Sequence, residues 1–328
     1  MIDLADLADL PSSDEASAAA VAARAADILR PQGALAKMDE LAVWIAGWQQ
    51  TATPRVIAPA ALIFAGDHGH VSEGTSAYPQ EVTRAMVDAF GSGVSTINAM
   101  ARHVGATVSV VDVGVGRPTG NIAEEPALTA QRARSIVEQV GQAVAGLDAD
   151  LLVLGEMGIG NTTAAAAVCA AVLGGRPGEW VGRGTGVDDD GLARKANVVE
   201  RALRRAGSVS PIDALVAVGG SELLALAAGI VAARRRRLPV LLDGFVVGAA
   251  AAALARAEPA ALEHCRAAHR SAEAAHGRLL EALALEPLLD LDMRLGEASG
   301  AMAAVPLVAM ACACVTEVPT FGEYFGEA

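Results

Sequence analysis

The sequence predicts an α/β fold, a parallel sheet flanked by helices with a smaller helical domain beside it. Five short apolar runs, at residues 56–64, 107–113, 151–154, 215–218 and 239–242, each give way to glycine and a polar residue, and each precedes a helical pattern. Such runs suit strands buried on both faces, and their alternation with helices is the pattern of a sheet built by crossover connections. A chain of 328 residues can bury a large core. With aromatic residues at only 3%, Ala, Val and Leu must build that core, and close helix packing on small residues is expected.

Before the first strand, residues 14–30 and 34–49 carry apolar positions at helical spacing with Pro31 and Gly33 between them, a helical hairpin that reads as the small domain. Leu41, Val43, Trp44, Ile45 and Trp48 form an apolar patch suited either to a dimer contact or to packing on the chain's own sheet. The first strand ends in Ala65-Gly66-Asp67-His68-Gly69-His70, and the carboxyl edge of a parallel sheet is where ligands bind, so Asp67 and His68 are candidates for the site. A metal set of Asp67, His68 and His70 finds no second cluster to complete it, and a turn stabilised by Asp67 is the simpler reading. No metal is expected. Helices at 81–90 and 94–103 follow, separated by Gly91-Ser92-Gly93. After the second strand a Gly/Pro-rich connection to about residue 127 is expected to close over something, and residues 129–145 are helical.

Residues 151–173, LLVLGEMGIGNTTAAAAVCAAVL, organise the chain as a strand, a glycine turn and a helix. Gly155, Gly158 and Gly160 permit a tight turn and close backbone approach, and Asn161, Thr162 and Thr163 suit a helix start, where unpaired N–H groups and the dipole attract an anion. The spacing nearly spells the triphosphate-binding loop, but Asn161 stands where that motif needs lysine, so a monophosphate is favoured and Glu156 is available for a ribose hydroxyl. A tight connection without a ligand is the alternative. A second glycine turn at 180–190 carries Arg183, Gly184, Thr185 and Gly186, with Lys195 downstream, and a solvated charged loop is the alternative there. The runs at 215–218 and 239–242 read as further strands ending in Gly219-Gly220-Ser221-Glu222 and Asp243-Gly244, with arginines 234–237 ending the helix between them as a solvated helix terminus. From Ala249 onward the chain reads as mainly helical, with Ser271-Ala272-Glu273 opening one helix. Glu297 lies in a Gly-rich turn before a wholly apolar helix; burial there favours its protonated form and makes it a better base, while a simple dipole partner is the alternative.

Thirty-eight acidic against 25 basic residues, a net charge of −13 and a pI near 4.9 argue against nucleic acid as a partner. Cys169, Cys265, Cys312 and Cys314 lack zinc-like spacing and suit small buried residues in a reducing, cytosolic compartment. The acidic start lacks the order of a signal peptide, and the longest apolar run, 301–315, is short for a membrane span and contains Pro306. No membrane partner is expected.

Six blocks in order, FAGDHGHVSEGTSAYPQEVT (64–83), GEMGIGNTTAAAA (155–167), VGRGTGVDD (181–189), VGGSELLALAAGI (218–230), LPVLLDGFV (238–246) and MRLGEASGA (293–301), resemble nicotinate-nucleotide:dimethylbenzimidazole phosphoribosyltransferases across residues 60 to 315. The resemblance implies a Rossmann-like main domain at 56–260 and a small helical domain formed from 1–55 and 261–328. It also implies a homodimer. The implied reaction takes nicotinate mononucleotide and dimethylbenzimidazole to nicotinate and α-ribazole 5′-phosphate, on the way to the lower ligand of cobalamin. By motif position, Glu297 matches the family's catalytic base and Glu156 its carboxylate beside the ribose, with Gly158 in the turn at the nucleotide. Ser76 and Met157 match the benzimidazole pocket, and Gly184, Gly186, Lys195 and Ser271 match positions near the phosphate or the nicotinate. Asn161, Thr185 and Asp243 are further candidate substrate contacts. Two departures stand out: Arg84-Ala85-Met86 follow Thr83 where the family usually has a Gln, and Arg183 with Thr185-Gly186-Val187 replaces a more apolar run.

The chemistry is consistent with these residues. A pyridinium leaves neutral at the ring and needs no general acid, so one base suffices, and a carboxylate can stabilise positive charge developing on the sugar. Attack opposite the nicotinate converts a β- into an α-riboside. Neither metal nor cofactor is required. The alternatives are a relative using adenine or a phenolic base, or a riboside-binding protein without catalysis.

Overall fold

The computed structural model describes residues 7–326, so the first six residues of the acidic start, and Glu327 and Ala328, lie outside the described part. At its centre β1 (Pro59–Gly66), β2 (Thr107–Gly114), β3 (Leu151–Met157), β4 (Val240–Leu242) and β5 (Cys265–Ala267) form a parallel sheet in the order β2-β1-β3-β4-β5. Phe64 on β1 sits opposite Val111 on β2 and Glu156 on β3. The chain thus leaves β1 towards one edge and returns to build β3 on the other side, which opens a crevice at the carboxyl ends of β1 and β3. Strand alternation sends Leu62, Phe64, Leu152 and Leu154 to one face and Ala61, Ile63, Leu151 and Val153 to the other, so a separate core forms on each. A second, two-residue parallel pair joins β6 (His269–Arg270) to β7 (Leu289–Asp290).

The helices run in chain order as α1 (Glu15–Asp27), α2 (Ala36–Gln49), α3 (Glu81–Ser92), α4 (Thr96–Val104), α5 (Ala130–Ala145), α6 (Asn161–Leu173), α7 (Asp189–Ala206), α8 (Pro211–Ala214), α9 (Ser221–Arg235), α10 (Phe245–Ala257), α11 (His276–Ala282), α12 (Ser299–Thr316) and α13 (Phe321–Phe325). Helices α5, α6, α9 and α10 cover one core, and α2, α3, α4 and α12 the other. The chain ends meet through Arg24, which donates to the Val315 carbonyl at 2.8 Å and pairs with Glu323 at 2.9 Å. Helix α12 is the one helix among the described residues long and apolar enough to cross a membrane, yet it lies on the sheet against α2, α4 and β3, with Pro306 accommodated inside it.

Four expectations are corrected. Residues 215–218 are not a strand: Ser210 caps and Pro211 starts a helix there, and Leu215–Gly219 continues it in a wide π-helical turn whose carbonyls at Val216 and Ala217 accept from Leu128 and Ala127. Four consecutive apolar residues carry no period, so they suit a buried helix as well as a buried strand. The fifth strand is β5 instead, three residues long and past residue 260. Ser271-Ala272-Glu273 form a turn, because the Ser271 N–H donates to His276 Nδ1 at 2.8 Å and α11 begins only at His276. Arg234 is not solvated: it is buried over the Trp48 ring at 4.7 Å and donates to the Pro11 and Ala260 carbonyls and to Glu263. Leu41, Trp44, Ile45 and Trp48 are buried in the chain's own core, so of the two readings of that patch packing holds.

Candidate active site

The site grows from the turn after β3. Gly155 must lack a side chain, since a Cβ there would stand 2.6 Å from Ala298 Cβ and 2.7 Å from its Cα. The loop carrying Glu297 therefore lies directly on β3. Gly158 faces the Gly66 carbonyl, 2.7 Å from where its Cβ would be, which draws the ends of β1 and β3 together. Gly160 takes a left-handed φ of 92°, and α6 starts at Asn161 with no side-chain cap; the Asn161 and Thr163 N–H groups donate instead to the Gly158 and Gly160 carbonyls at 3.0 and 2.9 Å. Helix α10 likewise starts uncapped after Gly244.

Between these elements lies a cavity of about 360 Å³. One wall is apolar, made by Tyr78, Val82 and Met86 with Met157, Ile159 and Leu295. Glu156, Asn161, Thr162, Ser271, Glu273 and Glu297 supply the polar lining, with His269 and Arg294. Such a division suits a ligand with a flat apolar part and a polar, charged part.

Glu297 is buried, and it and Ala298 both adopt left-handed backbone, φ 60° and 64°. For non-glycine residues that conformation is uncommon and concentrates at functional sites. Its carboxyl accepts no hydrogen bond from a described residue, and burial first, then the charge of Asp243, pushes its pKa up to about 7. Glu156 accepts from the Asn161 amide, while burial and then Glu222, Asp243 and Glu297 hold it well above the usual carboxylate range. Lys195 is almost wholly buried behind the cavity, donating to Thr162 Oγ1 at 2.9 Å and the Gly182 carbonyl at 2.6 Å, and burial lowers its pKa to about 8.

A Phosphoribosyltransferase family model matches residues 10–324. The chain is 46% identical over 302 residues to the nicotinate-nucleotide–dimethylbenzimidazole phosphoribosyltransferase of Roseobacter denitrificans, covering 92% of this chain and 89% of that one. It is equally identical to the Ruegeria pomeroyi protein of the same name, over 300 residues and with the same coverage of each chain. The chain belongs to the nicotinate-nucleotide–dimethylbenzimidazole phosphoribosyltransferase family. Two crystal structures from Thermus thermophilus share its fold. One, of a protein of that name, has a TM-score of 0.89 and 38% identity, over 96% of this chain and 99% of that one. The other, titled as CobT, has a TM-score of 0.90 and 40% identity, over 94% and 98%.

Of the residues singled out by resemblance to this family, Glu156, Met157, Gly158, Asn161, Gly184, Thr185, Ser271 and Glu297 line the one cavity. Ser76, Gly186, Lys195 and Asp243 do not. Ser76 shapes the turn to Tyr78, whose N–H it accepts at 3.2 Å, and Gly186 supplies a φ of 124° in the second glycine turn. Lys195 meets the cavity lining through Thr162, and Asp243 lies behind Glu297, accepting from the Ala301 N–H at 2.9 Å. Asp67 stabilises a turn, accepting from the Gly116 N–H at 2.7 Å, and the long loop after β2 closes over that turn, where Thr119 meets Asp67 and Gly69. His68 pairs with Glu222 in full burial behind Gly158. Among the described residues no group of three His, Cys, Asp or Glu side chains is set to hold a metal ion. Arg84 turns away from the cavity to Asp112 at 3.1 Å, and Arg183 braces its own turn through Asp189 and the Val187 carbonyl.

Sequence reasoning missed Tyr78, Val82, Met86, His269, Glu273 and Arg294. Val82 and Met86 sit four apart on α3, so a helical face was there to be read. His269 follows the strand Cys265–Ala267, but three residues with Arg266 in the middle make no apolar run to stand out.

Proposed function

We propose that this chain moves the 5-phosphoribosyl group of nicotinate mononucleotide to dimethylbenzimidazole, releasing nicotinate and α-ribazole 5′-phosphate. The observation that carries the reading is Glu297: a buried carboxylate, free of hydrogen bonds from the described residues and poised near 7, at the end of an apolar wall. Such a group is ionised in enough molecules at neutral pH to accept a proton and basic enough to do so usefully. In this reading it takes the N–H proton of the benzimidazole while the other ring nitrogen attacks C1′ of the ribose. Tyr78, Val82, Met86, Met157 and Ile159 supply a surface for the flat base. Glu297, with Asp243 and Glu222 behind the cavity, gives the polar side a negative potential, and burial together with that potential keeps Glu156 towards its neutral form. That potential favours a cationic N-ribosylpyridinium and the positive charge that builds on the sugar as the C–N bond breaks. The uncapped start of α10, the Ser271 hydroxyl, unpartnered among the described residues, and Thr162 with Lys195 behind it offer donors to the 5′-phosphate.

In the same reading the enzyme works as a cytoplasmic homodimer with small-molecule partners only, neither nucleic acid nor membrane. Tyr78 and Leu295, half-exposed at the cavity, are apolar surface that a second copy would cover. In this reading the small helical domain is drawn from residues 1–55 and 261–328, less β5, which belongs to the main sheet, and the Arg24 contacts join its two parts. The test is product formation from nicotinate mononucleotide with dimethylbenzimidazole, adenine and p-cresol in parallel, read by chromatography and mass. α-Ribazole phosphate formed fastest from dimethylbenzimidazole is the expected result. Preference for another base would overturn the acceptor, and no product from any base would overturn the reaction.

A further inference from the structure

Behind Glu297 lies a pair of residues, Asp243 and His269, to which the reaction above gives no proton and no bond. Asp243 ends β4 and is buried. Its Oδ1 accepts from the Ala301 N–H at 2.9 Å, in the first turn of α12, and lies 3.4 Å from His269 Nε2. The His269 ring is itself pinned: a Cβ on Gly300 would stand 2.5 Å from its Cγ, so α12 packs its glycine flat on the imidazole. His269 Nδ1 is buried without a partner among the described residues. Glu297 comes one turn before Ala301, on the left-handed segment that leads into α12. Any freedom in the first turn of α12 becomes freedom in the carboxylate.

We propose that Asp243, held by His269, is the positioning residue for Glu297, fixing the start of α12 and setting the charge against which the base works. It does so from outside the cavity lining, so it touches no substrate. Three physical features support this. An anion at the start of a helix is favoured by the dipole and by the open N–H groups, which explains why Asp243 stays beneath α12. A buried carboxylate that already accepts from a backbone N–H and faces an imidazole has a fixed geometry, as a base-positioning group must. A fixed anion behind a second carboxylate raises the basicity of the latter, and Asp243 follows burial among the causes that raise Glu297. The other charged and titratable groups around Glu297 are Glu156 at the end of β3, Glu222 behind Gly158, Arg294 on its own loop, His269, and Glu273 with Lys195 beyond the second glycine turn. Unlike these, Asp243 accepts a hydrogen bond from the backbone of the helix that Glu297 precedes.

The inference rests on the phosphoribosyl transfer proposed above, and the wild type tests that reading first, by making product with an acidic limb near pH 7. Asp243→Asn keeps an oxygen for the Ala301 N–H and removes the charge. Removing an anion lowers the pKa of Glu297, so the acidic limb of kcat/KM moves down by about one pH unit, and the plateau rate falls about tenfold with the weaker base. A limb that stays at the wild-type pH overturns the proposal, even if activity is lost, because a merely structural role would leave it there. Should Asp243→Asn not fold, Asp243→Glu provides the second test: from outside the cavity lining it keeps the charge but shifts the carboxylate off the Ala301 N–H. The expectation is a loss of about tenfold in kcat with the Kd for nicotinate mononucleotide within about twofold of wild type. Unchanged kcat, or a loss of nucleotide binding as large as the loss in kcat, overturns it.

Discussion

Replacing Gly155 with alanine tests whether the catalytic loop is held by contact with β3. Gly155 has no side chain, and an added Cβ would lie 2.6 Å from Ala298 Cβ and 2.7 Å from Ala298 Cα. Neither atom belongs to a flexible side-chain end, so the two segments must part. Ordinary contact at 3.4 Å or more requires a displacement of roughly 1 Å. The residue displaced is the neighbour of Glu297. Overpacking of this kind costs about 1–3 kcal/mol, a few degrees in Tm for a chain of this size. A catalytic group misplaced by about 1 Å costs on the order of 10²-fold in rate. The variant is expected to fold, to bind nicotinate mononucleotide within a few-fold of wild type, and to lose about a hundredfold in kcat. Gly178→Ala is the control, since nothing lies within 4 Å of its added Cβ. Measured by differential scanning calorimetry, steady-state kinetics and a nucleotide titration, a Gly155→Ala variant with kcat within about threefold of wild type would refute the reasoning.

Glu297→Gln should keep nucleotide binding and lower turnover by about 10²–10⁴, the worth of a general base; unchanged turnover removes Glu297 from that role. The same variant makes a stability prediction. The folded-state pKa of Glu297 is raised to about 7, so its contribution is fully present below the unfolded value and is lost as pH rises through about 7. Glu297→Gln is therefore expected to gain in Tm relative to wild type at about pH 8 but not at about pH 5, and the opposite order would contradict the assigned burial. Lys195→Met removes the donor to Thr162 and the positive charge behind the second glycine turn, and should raise the Kd for nicotinate mononucleotide by about tenfold while leaving the KM for the base within about twofold. Met86→Ala opens the apolar wall and should raise the KM for dimethylbenzimidazole by about ten- to a hundredfold, with the nucleotide Kd unmoved; an equal effect on both substrates would put Met86 elsewhere in the site.

The class of the fold was legible because its signals are local. Each long strand is an apolar run closed by glycine, and β1, β2 and β3 lie within a few residues of where the pattern puts them. The two errors in the strands share one cause. Short runs carry too few residues to show a period, so Leu215–Gly219 reads as a strand although it is helical, and Cys265–Ala267 does not stand out as the real fifth strand. In both cases tertiary pairing decides: the carbonyls at 216 and 217 are engaged by the loop at 127 and 128, while Val240 pairs with Cys265.

The site divides along the same line. Glycines 155, 158 and 160, Asn161 and Glu297 stand out in the sequence because a turn, a helix start and a charged residue before an apolar helix are visible in neighbouring letters. That the loop of Glu297 rests on Gly155, nearly half the chain away, is visible only in the folded protein. So are the His269–Asp243 pair, the buried His68–Glu222 pair, and the withdrawal of Lys195 and Asp243 from the cavity itself. By itself the sequence determined the layered α/β fold, the family and the two carboxylates, since these depend on patterns within a segment. Only the tertiary structure decided how acidic those carboxylates are and what holds them, because desolvation and charge act through space between segments far apart along the chain.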